Sequence, residues 1–349
     1  MSKLNIKHIS FLIPGNYPDD HPVKGLEQTL QLFELGEQLG YNGAWVRQRH
    51  LEHGISSSAT FLAAATQRTH KIELGTAVIQ LGYESPFRLA EDLSTVDVLS
   101  HGRLNVGLST GKPLHAELIA EHVFDQHWQQ QDFSYQRVQR LIDNLSGRYL
   151  GDPDTWIESP GNRQRPRLQP YAKGLTERLW YGGGSLRSAR WAGENQLNLL
   201  IGNLTSGEDT DDYYTAQLRQ LALYRQNLNQ HHTHKSRIAA GRVIIPFDHA
   251  DQSTQRYYQD FAASRYQRTL SPQGERRTLF SEDIIGHADQ ILEKLFNDPV
   301  LQQVEELRLE LPYEFNVIQY AQIITDFITL IAPQLGWKPT IYQGDKKTA

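Results

Sequence analysis

The sequence predicts an α/β chain folded as a (β/α)8 TIM barrel with loop insertions over its C-terminal face. Three observations carry that prediction. Short runs rich in β-branched and aromatic residues alternate with helix-period runs along the whole chain. Eight such strand runs can be counted, each followed by a helical stretch. The length, 349 residues, suits one barrel enlarged by insertions. A doubly wound open sheet is the alternative architecture with the same alternation.

Taken in order, Ile6–Ile13 is a strand run stopped by Pro14-Gly15. Leu26, Leu30 and Phe33, with Leu32, Leu35 and Leu39, make a wide helical stripe ending at Gly40. Gly43–Val46 reads as a short buried strand, Ala59–Thr66 as a helix and Lys71–Ile79 as the third strand. Ser85-Pro86 places an N-cap residue before proline at the first helical position, and Leu89, Leu93 and Val96 carry that helix to Gly102. Arg103–Leu108 is the fourth strand; Leu179–Tyr181, Leu197–Ile201, Ile238–Ile245 and Glu306–Leu311 are the fifth to eighth. Helical stretches fall near 134–147, 186–194, 211–229, 283–295 and 315–334. No shift in composition marks a second domain, so residues 1–349 read as one domain. The loosest stretches, 148–175 and 246–281, read as loop-bearing insertions of the kind that overlie a barrel's active face.

Composition closes several classes. With no Cys there is no disulfide framework, thiolate metal site, iron–sulfur cluster or cysteine nucleophile. The balance of 35 Lys+Arg against 40 Asp+Glu, without a dense basic run, leaves no electrostatic footprint for nucleic acid. No apolar run nears the ~20 residues that cross a bilayer, and Ile9–Pro14 is too short for a signal sequence. The expectation is a cytoplasmic protein with neither membrane nor nucleic-acid partner.

Two segments carry chemistry. Tyr181 to Ala192, Y-G-G-G-S-L-R-S-A-R-W-A, leaves a strand through three glycines and enters a helix with Ser185 at its N-cap. Free N–H groups at that start, with the Ser185 and Ser188 hydroxyls, form an anion site that Gly182, Gly183 and Gly184 let a phosphate approach. A tight turn with an ordinary cap is the plainer reading of the same residues. It is no dinucleotide fingerprint, since Arg187 takes the third glycine position. The second segment, Trp45 to Gly54, follows the second strand and carries Arg47, Arg49, His50, Glu52 and His53. It lacks the spacing of a metal motif, so no metal is expected. His231, His232 and His234 read as solvated loop residues, and His115, His122 and His127 follow the fourth strand. Small residues at two neighbouring strand ends, Gly75-Thr76-Ala77-Val78 and Gly107 to Gly111, leave room for a flat ligand. Arg242, charged within an apolar strand run, is expected to point into the site and, with Arg47 and Arg49, to favour an acidic or sulfonated substrate.

Together T-H-K-I-E-L-G-T-A-V-I (69–79), S-P-F-R-L-A-E-D-L-S-T-V-D-V-L-S-H-G-R-L-N-V-G (85–107), G-G-G-S-L-R-S-A-R-W-A-G (182–193), I-I-G-H-A-D-Q-I (284–291) and A-P-Q-L-G-W (332–337) resemble the bacterial luciferase-like family of flavin-dependent oxidoreductases. The resemblance covers essentially the whole chain. It assigns structural roles to Asp97, Ser100, Gly102 and Arg103. It implies an FMN-using barrel, commonly a homodimer, that takes reduced FMN from a separate NAD(P)H:flavin reductase and oxidises a small molecule with oxygen; other members use F420 for hydride transfer. Carried over, Gly184, Ser185 and Ser188 match positions holding the cofactor phosphate, with Tyr135 as an added contact. Ala77 and Val78 match a pair joined by a cis peptide beneath the flavin, with Thr76 beside them as a further cofactor contact, and Ser109 matches the position facing its reactive edge. The family pattern Trp-x-x-Glu-His-His-Phe departs here: Trp45 is followed by Gln48, Arg49, His50 and Leu51. Either His50 takes the base's role or cationic Arg49 stabilises an anion. A flavin-binding barrel that has lost catalysis is the third reading this departure leaves.

Overall fold

A computed structural model describes residues 4–124, 127–229 and 235–339. Eight parallel strands close into a barrel: β1 (His8–Ile13), β2 (Gly43–Val46), β3 (Glu73–Gln80), β4 (Leu104–Ser109), β5 (Leu179–Gly182), β6 (Asn198–Ile201), β7 (Ile238–Arg242) and β8 (Glu306–Glu310). Consecutive strands are neighbours all the way round, and β1 closes on β8 with Ser10 opposite Arg308. The outer helices are α1 (Pro22–Gln38), α2 (Ser58–Thr66), α3 (Pro86–Leu99), α4 (Tyr135–Leu145), α5 (Leu186–Glu194), α6 (Tyr213–Gln226), α7 (Ala288–Phe296) and α8 (Val317–Asp326).

Strand alternation divides two cores. Ile9, Phe11 and Ile13 of β1, like Leu307 and Leu309 of β8, face outward into the large core under the helices. Leu12, Trp45, Trp180, Leu200 and Ala239 face inward and fill the barrel, where the two indoles meet edge to face at 5.6 Å. Gly75 makes room for this layer, because a Cβ there would lie 2.2 Å from the Trp45 ring. Asp97, Ser100, Gly102 and Arg103 fasten the lower turns. Asp97 holds Arg178 through both oxygens at 2.6 and 3.1 Å, and Arg103 bonds Thr69 and the Ile72 carbonyl. Gly102 adopts φ +80°, a conformation that favours glycine.

The structure differs from the sequence reading in five places. The seventh strand ends at Arg242 rather than Ile245, because β6 and β8 offer no partner beyond Ile201 and Leu309; Ile244–Pro246 instead pairs with Ile284–Gly286. That second pairing delays α7 to Ala288. The 246–281 stretch is not all loop. Asp251 caps a helix at Gln252–Tyr266 by accepting from the Thr254 N–H at 2.8 Å. Its far end, Thr278–Phe280, pairs with Leu204–Ser206 over the C-terminal face. The 148–175 stretch joins the end of α4 to the start of β5, so chain order puts it at the opposite end of the barrel. Ser85 precedes α3 without a side-chain cap bond, leaving Pro86 as that helix's start signal.

Candidate active site

The C-terminal mouth holds a cleft of about 290 Å³. One side is built from small residues at strand ends: Ala77 and Val78 of β3, Ser109 of β4, and Gly182, Gly183 and Gly184 after β5. The opposite side carries charge: Arg47 after β2, with Arg308 and Glu310 of β8; Leu12, Leu200, Gly202, Asn203 and Leu204 complete the wall. The Ala77–Val78 peptide is cis.

At the start of α5 the backbone is prepared for an anion. Ser185 and Ser188 form a reciprocal cap, Ser185 Oγ accepting from the Ser188 N–H at 3.1 Å and Ser188 Oγ from the Ser185 N–H at 2.9 Å. A side chain at Gly184 would meet nothing within 4 Å, so the space above it is open. Gly183 serves packing, since a Cβ there would lie 2.6 Å from Leu199. The Leu186 N–H donates to the Glu208 carboxylate at 2.6 Å. A carboxylate oxygen thus takes the first free N–H of the helix, the kind of partner a helix start favours. Tyr135 stacks on Trp191 at 4.4 Å with Arg187 above its ring, walling this corner.

The remaining sequence candidates are placed as follows. Thr76 is fully buried and bonds the Gly107 carbonyl and N–H, both at 3.0 Å. It ties β3 to β4 and does not line the cleft, which corrects its assignment as a cofactor contact. Arg49 is half-buried and donates to Tyr313 Oη at 3.2 Å. His50 lies outside the cleft lining, 4.1 Å from the Tyr83 ring, with Nε2 3.2 Å from the Gln48 amide nitrogen. Gln48 also donates to Glu84 and accepts from Ser58, so this nitrogen is a donor and His50 Nε2 the acceptor. Burial lowers the His50 pKa and so favours the neutral ring.

Arg242 is the main correction. On β7 it shares a phase with outward-facing Ile238 and Ala240, and it is buried between β7 and α6. There it bonds Asp298 at 2.8 Å, Tyr213 Oη at 3.0 Å and Gln217 at 3.0 Å, so it has no access to the mouth. The inward arginine belongs to the next strand. Glu306-Leu307-Arg308-Leu309-Glu310 alternates charged and apolar, a period-two signal that every charged residue of β8 faces the barrel interior. Sequence reasoning passed over Arg308, Glu310 and Glu208. His231, His232 and His234 lie outside the described residues, among which no group of three or more His, Cys, Asp or Glu could hold a metal ion. No described helix is long and apolar enough to cross a membrane.

Comparison with known proteins agrees with this geometry. The sequence pattern of the luciferase-like monooxygenases matches residues 7–295. A 4-hydroxyprotoasukamycin monooxygenase of Streptomyces nodosus subsp. asukaensis is 36% identical over 29% of this chain, and the limonene 1,2-monooxygenase of Rhodococcus erythropolis 35% identical over 30%. These matches span 28% and 27% of the two relatives' own lengths. Among solved structures, monooxygenase RslO1 from Streptomyces bottropensis superposes with TM-score 0.67 at 18% identity, covering 93% of this chain and 99% of that one. The oxygenating constituent of 3,6-diketocamphane monooxygenase from Pseudomonas putida, in complex with FMN, gives 0.64 at 13% identity over 95% and 99%. An F420-dependent secondary alcohol dehydrogenase gives 0.62 at 13% over the same shares. With more than half of its length matched by one family pattern on a closed eight-stranded barrel, the chain belongs to the luciferase-like monooxygenase family.

Proposed function

We propose that this chain is the oxygenating component of a two-component FMN-dependent monooxygenase, supplied with reduced FMN by a separate NAD(P)H:flavin reductase. The observation that carries the reading is the small-residue side of the mouth. Its Ala77–Val78 floor, Ser109 and the open space at Gly184 lead directly to a helix start already engaged with a carboxylate. Bound reduced FMN supplies the electrons that let one oxygen atom enter a small organic substrate while the other leaves as water. In this reading the Leu186 N–H and the Ser185 and Ser188 hydroxyls hold the phosphate, and Gly184 lets it approach the backbone. Ala77 and Val78 support the ring, and the Ser109 hydroxyl offers a donor and an acceptor at its edge. Arg49, fixed by Tyr313, supplies positive charge where negative charge collects during oxygen transfer. Neutral His50, bonded to Gln48, is held in one orientation beside Tyr83.

The test is an anaerobic titration of the purified chain with reduced FMN, oxidised FMN and F420, read by tryptophan fluorescence. The reading expects one molecule of reduced FMN per chain and weaker binding of the oxidised form. Tight F420 binding without FMN binding would replace oxygenation by hydride transfer. FMN binding with no reductase-dependent consumption of any substrate would leave a flavin-carrying barrel.

A further inference from the structure

The charged side of the mouth plays no part in holding the phosphate or the ring floor. Arg308 is its centre. The side chain is 4% exposed, lines the cleft, and makes one side-chain hydrogen bond, Nη2 to Glu310 Oε1 at 3.3 Å. Its Nε and Nη1 are buried without a protein partner among the described residues. Arg47 donates Nη2 to Glu310 Oε2 at 3.3 Å and Nη1 to Tyr313 Oη at 3.4 Å, and its Nε is likewise buried and unpartnered. One carboxylate therefore faces two guanidiniums, and Arg49 shares the Tyr313 hydroxyl with Arg47.

Unmade hydrogen bonds on a buried charged group are costly, and an uncompensated buried cation more so. The balance shows on the groups themselves. Burial pushes Arg308 below the ordinary arginine value; Glu310 opposes this, but Arg47 adds to the lowering. An incoming oxyanion would supply both the missing acceptors and the missing charge, in the planar geometry guanidinium favours. Leu200 and Leu204 line the same cleft as these arginines, with Val78 and Ser109, and offer a carbon chain apolar contact.

We propose that this side of the mouth is the substrate pocket for a small organic anion, whose carboxylate or sulfonate head is received by Arg308 and Arg47. That the anion is the molecule oxidised rests on the monooxygenase reading above; the anion pocket itself does not.

The experiment is equilibrium binding to the full chain, followed by tryptophan fluorescence, since Trp45 lies 5.6 Å from the Arg308 guanidinium. The probes are hexanoate, hexane-1-sulfonate and hexan-1-ol, each with and without FMN. At least one anion should bind about tenfold or more tightly than the alcohol. Comparing the two anions identifies the preferred head. Arg308→Gln should remove most of that preference, and Glu310→Gln should strengthen anion binding severalfold, a gain that misfolding does not produce. Equal binding of alcohol and anions by the wild-type chain overturns the proposal. So does an Arg308→Gln variant that loses FMN affinity while keeping its anion preference, because the arginines would then serve the cofactor. Anion preference in a protein that binds no FMN would sustain the pocket and sink the monooxygenase reading instead.

Discussion

Both ends of this barrel are filled with arginine and glutamate, and they are organised in opposite ways. At the N-terminal end Arg237 bonds two carboxylates, Glu306 at 2.6 and 3.0 Å and Glu73 at 3.1 Å, with its guanidinium over the Trp180 ring. His8 and Asn105 add bonds to Glu73 at 3.1 and 3.2 Å. At the mouth the ratio reverses, with Arg308 and Arg47 sharing Glu310. The same residue types thus make a plug where acceptors match donors and a receptor where they do not. The division follows the general one in barrels, stability at the bottom face and chemistry at the top.

The largest effect is expected at the plug. Arg237→Met strips Glu306 of its guanidinium and leaves Glu73 with His8 and Asn105 alone. It should cost about 3 kcal/mol in urea unfolding, near the lower end for a broken buried pair because both carboxylates keep some contact with water. The plug also sets acid stability. Burial alone would raise the Glu73 pKa, but His8 and Arg237 outweigh it and hold it down at about 2 against an ordinary 4.5. A depressed carboxylate stabilises the fold fully above its unfolded value and loses that contribution as pH falls through the folded one. Unfolding free energy should therefore decline from about pH 4.5 toward pH 2, with a shallower decline in Arg237→Met. Identical acid slopes would show that Glu73 is not paired as described.

Between the two ends, Gly75→Ala would push a methyl group into the Trp45 indole and should cost about 2 kcal/mol by overpacking. Ser185→Ala, on the small-residue side of the mouth, removes an N-cap and should cost about 1 kcal/mol while weakening FMN binding. The smallest effect is the sharpest comparison. Arg308→Met removes a buried cation whose bonds are mostly unmade, so thermal or urea unfolding should change by less than about 1 kcal/mol, in either direction. A loss as large as that of Arg237→Met would erase the distinction between plug and receptor.

What could be read from the sequence follows the same physics. Gly43–Val46 was legible because all four residues are buried and run without interruption. The helix Gln252–Tyr266 was not, because it buries only Tyr258 and Phe261 and leaves no apolar stripe to count. The capped helix start at Ser185 was legible because a strand, three glycines and a cap lie next to one another in sequence. Arg47 and Arg308 converge across some 260 residues, and nothing local joins them. Their phase was nevertheless available: small Ala239 and Gly241 alternate with Arg242 on β7, whereas Arg308 alternates with leucines on β8. Reading phase rather than charge would have chosen Arg308. Glu208 was beyond reach, since its role depends on the loop after β6 folding back onto α5.

The most direct test of the division of the mouth is the electron density of the chain crystallised with FMN. The account predicts the ring over Ala77–Val78, the phosphate at Ser185 and Ser188 with Glu208 moved off the Leu186 N–H, and the Arg308 side left open for a second molecule. A cofactor lying against Arg308 and Arg47, with Glu208 still bonded to Leu186, would contradict it.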